Sequence, residues 1–158
     1  MFGLFKSAPF SDPILGELVR SRGLWRGTIR LESGLTPLIL TGTRAAPDPA
    51  ALAVARELPT RYAAWRSAIE TALFEHYEPY AESLAMGEIE AAEESMPCIA
   101  LPAAVWAHVC LQYICVAPLG GSLTTELGYA TAWDEEHTLG ARFQGSTFVE
   151  LCGSVLRP

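Results

Sequence analysis

Acidic side chains and an imidazole lie close together near the end of the chain. The segment Trp133-Asp134-Glu135-Glu136-His137 is followed by Leu139 and Gly140 and joins two runs that alternate like strands. A carboxylate beside a histidine can raise the pKa of the imidazole, hold it as a base, or share a metal ion with it. Loops on a rigid scaffold are common places for such chemistry. This stretch is therefore the first candidate site.

The remainder of the sequence supplies no catalytic partners for this turn. His76 and His108 fall on predicted helices, with no acidic residue at a matching spacing. Ser122 and Ser154 follow glycines but lack the G-x-S-x-G context of a hydrolase, and no glycine-rich phosphate loop is present. We expect no enzymatic activity, no metal and no cofactor. The alternative is a small-ligand-binding or metal-dependent enzyme domain that uses the turn from Asp134 to His137.

The charges are segregated along the chain, whose net charge is −7. Residues 67–141 hold twelve of the 18 acidic residues and no Lys or Arg, whereas residues 1–66 hold nine of the 11 cations. Such a region repels nucleic acid and membrane surfaces and attracts basic proteins. The candidate binding residues are a glutamate-rich group after the predicted long helix and the turn described above: Glu88, Glu90, Glu93, Glu94, Trp133, Asp134, Glu135, Glu136 and His137.

These features favour a non-catalytic interaction module that presents its acidic face to a basic protein partner. A homodimer is a second arrangement, in which the positive N-terminal part of one copy meets the acidic region of its twin. The simplest interpretation is an acidic loop that only keeps the protein soluble. Nucleic acid and membranes are not expected as partners.

Length and composition predict one soluble domain over residues 1–158. No apolar run approaches the roughly 18 residues that span a bilayer. The four cysteines lack C-x-x-C spacing, and three of them lie in apolar surroundings. This pattern is typical of buried thiols in a reducing compartment, so we expect a cytoplasmic protein.

One long helix is predicted from Asp48 to Tyr77. Apolar residues recur at steps of three and four, which places them on one face. Asp48 is a good N-cap, and Pro49 suits the first helical position. Glu78 and Pro79 are expected to close the helix. Pro59 predicts either a kink or a short helix followed by a longer one, and the sequence leaves this open.

Alternating runs on both sides of the helix predict strands. The region from Asp12 to Leu18 leans towards a strand, and a short helix is expected from Leu101 to about Val109. The predicted class is α+β, with an antiparallel β-sheet meander of about five or six strands packed against one long helix, plus short helices. The predicted strands are residues 24–31, 36–43, 110–117, 123–133, 138–144 and 147–156. The expected core is Trp25, Ile29, Leu40, Tyr62, Trp65, Ile69, Leu111, Tyr129, Phe143 and Leu151.

The C-terminal half carries a resemblance to known families. Its W-D-x-E-H-x-L-G-A-x-F segment, beginning at Trp133, and the following G-x-x-F-V-E-L-x-G resemble the C-terminal strands of uncharacterised bacterial α+β domains. Asp12-x-x-Leu-Gly-Glu-Leu, Trp25-x-Gly-x-Ile and Trp65 extend the resemblance over most of the chain. The resemblance implies a small cytoplasmic domain without an established activity, and similar domains accompany bacterial toxins as presumed immunity proteins. Thr138 stands where many of those families have glycine.

Overall fold

A long helix interrupts a series of strands. The computed structural model describes residues 6–89 and 96–158. Within them the chain forms an α+β fold, as predicted. The strands are β1 Phe10–Asp12, β2 Gly16–Ser21, β3 Leu24–Leu31, β4 Gly34–Leu40, β5 Val109–Leu119, β6 Ser122–Thr131, β7 Thr138–Gln144 and β8 Thr147–Val155. The long helix, α1, is Pro49–Ala85, and a 3₁₀ helix, Pro102–His108, precedes β5.

The strands of the described chain lie in one sheet, in chain order from β1 to β8. Neighbouring strands are antiparallel except β4 and β5, which are parallel. A parallel pair needs a crossover connection, and here α1 forms it. The sheet therefore consists of two four-stranded meanders joined by one helical crossover.

Two expectations about the sheet are wrong. It has eight strands rather than five or six, and it is not antiparallel throughout. One extra strand arises because Asp12 divides its region into β1 and β2. Its Oδ1 atom accepts hydrogen bonds from the amides of Ile14 and Leu15, both at 2.9 Å. An aspartate that bonds to nearby backbone amides in this way reverses the chain.

The helix begins where the sequence predicts. Oδ1 of Asp48 accepts a hydrogen bond from the amide of Ala51 at 2.9 Å, and Pro49 occupies the first helical position. The helix then runs through both Pro59 and Pro79 as one element. No helix in the described residues is both long enough and apolar enough to cross a membrane.

The expected end of the helix at Glu78 and Pro79 is wrong, because α1 continues to Ala85. Pro79 removes one backbone hydrogen bond, but side chains on both sides of it are held by tertiary contacts. The Tyr77 hydroxyl donates to the carbonyl of Pro97 at 2.8 Å, and the Tyr80 hydroxyl donates to Asp134 at 2.9 Å. Gly87 follows the helix with a positive φ of 71°, the conformation that glycine supplies at helix ends.

The core lies between α1 and the sheet. On the helix, Leu58, Trp65 and Ile69 are buried, and the ring of Trp65 stacks on Phe143 with centroids 4.2 Å apart. Eight of the ten predicted core residues are buried: Trp25, Ile29, Leu40, Tyr62, Trp65, Ile69, Tyr129 and Phe143. Leu111 and Leu151 are only partly buried and pack against this core. Leu151 belongs to the last strand of the sheet, which has a neighbour on one side only.

Replacement of Ile69 by Ala should lower the free energy of unfolding by about 2–5 kcal/mol, since it opens a cavity under a side chain with no exposed surface. Urea denaturation measures the change. Ile14→Ala is the matched control, because Ile14 is 67% exposed and should change stability by less than about 0.5 kcal/mol. Equal effects of the two substitutions would contradict the assigned core face.

Asp12 also joins the first strands to the helix. Its buried Oδ2 atom accepts a hydrogen bond from Nε of Arg56 at 3.0 Å. That hydrogen bond is the main reason why the pKa of Asp12 falls from 3.8 to about 2. Because folding lowers the pKa, the stabilisation is complete above about pH 4 and is lost as the pH falls towards about 2.

We therefore expect Asp12→Asn to be less stable than the wild type at neutral pH and to lose less stability on acidification. Urea titrations at several values from about pH 5 down to about pH 2 test this. Glu17→Gln, at an exposed position on β2, serves as the control. Parallel stability curves for wild type and Asp12→Asn would show that this carboxylate does not carry the acid sensitivity.

Candidate functional site

The connection between β6 and β7 folds around Asp134. The Asp134 amide donates to Oγ1 of Thr131 at 3.3 Å, which forms a turn directly after β6. The Asp134 carboxylate is buried, and its Oδ1 atom lies 2.9 Å from Nδ1 of His137. The His137 side chain is 45% exposed. The aspartate and histidine of the predicted constellation thus do meet, with the carboxylate inside and the imidazole at the surface.

Two residues of α1 complete this arrangement. The Tyr80 hydroxyl donates to Oδ2 of Asp134 at 2.9 Å. One turn earlier in α1, Nδ1 of His76 accepts a hydrogen bond from Nε1 of Trp133 at 3.1 Å. The ring centroids of His76 and Tyr80 are 5.5 Å apart. We call His76, Tyr80, Trp133, Asp134 and His137 the helix–turn cluster. Its hydrogen bonds hold the β6–β7 connection against the second half of α1.

The protonation states agree with these hydrogen bonds. Burial alone would raise the pKa of Asp134, but hydrogen bonds from His137 and Tyr80 outweigh burial and lower it. Burial lowers the pKa of His76, which favours the neutral ring that Trp133 needs as an acceptor. Burial raises the pKa of Tyr80, and the hydrogen bond to Asp134 raises it further, so the hydroxyl stays protonated. The cluster therefore has one ionised carboxylate surrounded by donors.

Sequence reasoning missed Tyr80 and did not connect His76 with Trp133. The two residues are spaced by four and lie on the same side of α1, which the sequence does show. Their partners are 54 and 57 residues away along the chain. No local pattern connects such distant positions, and only the crossover brings them together.

The cluster has limited chemical capacity. Asp134 occupies Nδ1 of His137, which leaves Nε2 as the ring nitrogen free to contact another group. Among the residues that the structure describes, no group of three or more His, Cys, Asp or Glu side chains is placed to hold a metal ion. The geometry fits a structural contact that leaves the imidazole of His137 partly exposed.

The other predicted binding residues lie at the surface or outside the described chain. Glu135 and Glu136 are exposed between the two members of the Asp134–His137 pair, and Glu88 is exposed just after α1. Glu90, Glu93 and Glu94 lie outside the described residues. Of the nine predicted residues, the structure brings together Trp133, Asp134 and His137 in the cluster, with Glu135 and Glu136 beside them.

Further exposed carboxylates follow the same half of the helix. Glu75, Glu78 and Glu82 are spaced by three and four, which places them on one side of α1. We define the acidic surface as the exposed residues Glu75, Glu78, Glu82, Glu88, Glu135 and Glu136. None of these forms an ion pair with another residue of the described chain.

A mostly antiparallel sheet covered by one crossover helix, with its polar cluster at a strand connection, defines a small α+β domain. The chain belongs to the family described as a domain of unknown function, DUF6985, which matches residues 17–154. The match begins in β2 and ends in β8, so it includes the whole helix–turn cluster. Searches of curated proteins and of solved structures found no match.

Replacement of Tyr80 by Phe should lower the free energy of unfolding by about 1–3 kcal/mol, because it removes a donor to a buried carboxylate. Urea denaturation at neutral pH measures the loss. Glu135→Gln, at an exposed position of the same turn, should stay within about 0.5 kcal/mol of the wild type. An unchanged stability for Tyr80→Phe would mean that this hydrogen bond does not hold the connection to α1.

Proposed function

We propose that the protein is a non-catalytic interaction module that binds a basic protein partner through its acidic surface. The observation that carries this proposal is the combination of exposure and missing counter-charge. Six exposed carboxylates lie on the second half of α1, just after it, and on the β6–β7 connection, and none has an ion-pair partner in the described chain. Residues 67–141 contain no Lys or Arg that could serve as one.

The charges elsewhere are arranged differently. Glu57 pairs with Arg61 at 2.7 Å, and Glu150 pairs with Arg142 at 2.8 Å. Such exposed pairs add little stability, but they neutralise the local field. The acidic surface keeps its field, and a field of one sign speeds the encounter with an oppositely charged protein and selects against others.

Rigid placement is a second argument for binding. The turn that carries Glu135 and Glu136 is closed by the Asp134–His137 contact and held to α1 by Tyr80. A turn that is fixed before binding loses less backbone conformational entropy when a partner arrives. A regulatory protein or an immunity-type inhibitor is the form of binder that the family resemblance suggests.

The exposed imidazole of His137 supports a second candidate function, a ligand-binding or acid–base site at the turn. A histidine whose Nδ1 contacts a buried carboxylate is an arrangement that enzymes use to hold a general base. Replacement of His137 by Gln distinguishes the two functions. It should abolish an acid–base activity and leave binding by the acidic surface nearly unchanged.

The proposed function predicts charge-dependent capture of a basic partner from native cells. A variant with Glu78, Glu82, Glu135 and Glu136 changed to Gln should lose that partner. The matched control changes four exposed glutamates elsewhere to Gln, at Glu17, Glu32, Glu57 and Glu150, and alters the net charge equally. It should retain the partner at about 0.15 M salt, and the wild type should lose it as the salt concentration rises.

Equal recovery of the same proteins by both variants would reject the acidic surface as the binding site. Light scattering at low and high salt tests the competing homodimer. A dimer that dissociates in high salt, and in the Glu78/Glu82/Glu135/Glu136 variant alone, would identify a second copy of the chain as the partner.

A further inference from the structure

A cleft that is separate from the acidic surface lies where the two meanders meet. Its volume is about 430 Å³, within the range of small-molecule sites. It is bounded by the β3–β4 turn, the middle of α1, the 3₁₀ helix and the start of β5. No residue of the acidic surface or of the helix–turn cluster lines it.

The cleft lies beside the first residues of β4 and β5, which the ladder between these two strands does not include. Their ladder has three described pairs, from Leu38–Ile114 to Leu40–Val116. The Thr41 amide donates to the carbonyl of Val116 at 3.1 Å. Since backbone groups alternate sides along a strand, the odd-numbered residues of β4 face β5. Pro37 is one of these and has no amide to donate, and the peptide groups of Leu35 beyond it face the gap.

A buried hydroxyl of Tyr129, a residue that lines this cleft, lacks a partner in the described part of the chain. Tyr129 is 1% exposed, and none of residues 6–89 and 96–158 forms a hydrogen bond with its Oη atom. Burial is the main reason why the pKa of Tyr129 is raised, and the neighbouring Tyr62 hydroxyl raises it further. The two hydroxyls nevertheless lack the geometry of a hydrogen bond. An unpaired buried hydroxyl is costly and uncommon. A lining residue of the cleft thus carries a buried proton donor that a ligand could satisfy.

A cation stands beside this donor. The guanidinium of Arg66 lies 4.6 Å from the centroid of the Trp106 ring. Its Nη1 atom donates to Glu32 at 2.9 Å, and Glu32 is an exposed residue at the rim. Arg66 has five N–H donors in a planar fork, so several remain for another acceptor. The charge of Arg66 also acts on Tyr129, where it opposes the rise in pKa.

The remaining wall has an apolar part beside the polar residues Ser33 and Thr36. Leu35, Val109 and Leu111 line the cleft together with the rings of Tyr62 and Trp106. The nitrogen of the Trp106 ring is occupied, since it donates to Glu70 at 2.6 Å. The ring therefore offers apolar surface. The wall combines donors and a cation with an apolar lining.

We propose that this cleft binds a small organic carboxylate with an apolar, ring-sized body. The carboxylate accepts hydrogen bonds from Oη of Tyr129 and from the donors of the Arg66 guanidinium that Glu32 leaves free. The apolar body lies against Val109, Leu111 and the aromatic rings. This ligand would satisfy the buried hydroxyl and use the unoccupied donors of Arg66, whereas a cationic ligand would meet Arg66 with like charge.

Benzoate is the probe, and isothermal titration calorimetry measures its binding to the full chain. Benzyl alcohol retains the ring without the charge, and acetate retains the charge without the ring. Both should bind at least about tenfold more weakly than benzoate, which corresponds to the loss of one charge-assisted hydrogen bond or of the buried ring. Benzylamine should not bind. No binding of benzoate, or equal binding of benzylamine, would overturn the proposal.

Two substitutions locate the site. Tyr129→Phe and Arg66→Gln should each weaken benzoate binding at least about tenfold. The matched control is Tyr113→Phe, which changes another fully buried tyrosine whose hydroxyl donates to Glu126 at 2.7 Å. It should lower the thermal midpoint and leave benzoate affinity unchanged, whereas Tyr129→Phe should keep or raise the midpoint. Unchanged affinity in both site variants would overturn the assignment.

A measurement on the wild type remains decisive even if a variant fails to fold. Cys110 is exposed and lines the cleft, and Cys98 is exposed without lining it. Saturating benzoate should slow alkylation of Cys110 by iodoacetamide and leave Cys98 unaffected, as mass spectrometry of the separate peptides would show. Equal alkylation of Cys110 with and without benzoate would place any binding outside the cleft.

Discussion

The crossover from β4 through α1 to β5 is the constraint on which the rest of the fold depends. The other ladders of the described sheet join strands that follow each other directly, and each needs only a short turn. The β4–β5 ladder instead needs a connection long enough to bring the chain back to the end where β4 began. The apolar face of α1 meets this need and covers both meanders, through side chains such as Leu58, Trp65 and Ile69. One amphipathic helix thereby supplies both the connection and one side of the core.

Both proposed sites follow from this arrangement. The middle of α1 contributes Tyr62 and Arg66 to the cleft where the meanders separate, and its second half contributes Tyr80 to the helix–turn cluster. The sites differ in physical character. The acidic surface is open to solvent, so its attraction depends on ionic strength. The cleft has a buried donor and a partly apolar wall, so selectivity in the proposed site would depend on shape and on hydrogen bonds that water does not easily replace.

Local signals were sufficient for much of the fold. The helical period, the Asp48 cap and the alternating strands predicted α1, most of the core and the α+β class, because each depends on residues within a few positions of one another. The extension of α1 past Pro79 was not predictable in this way, since it depends on where Tyr77 and Tyr80 find partners. The parallel ladder, the His76 and Tyr80 contacts and the cleft all require long-range packing. The pairing of Asp134 with His137 was within reach, because the two are three residues apart.

The single parallel ladder also has a consequence for the order of folding. The first four strands can pair as the chain leaves the ribosome, but the pairing of Leu38 with Ile114 has to wait until the helix and the 3₁₀ segment have been made. Until then, β4 is the outer strand of a partial sheet, and such an edge can recruit a strand from another chain. Pro37 shortens the run of amides on that edge. On an outer strand, Pro37 would therefore leave a neighbouring chain one amide fewer to pair with.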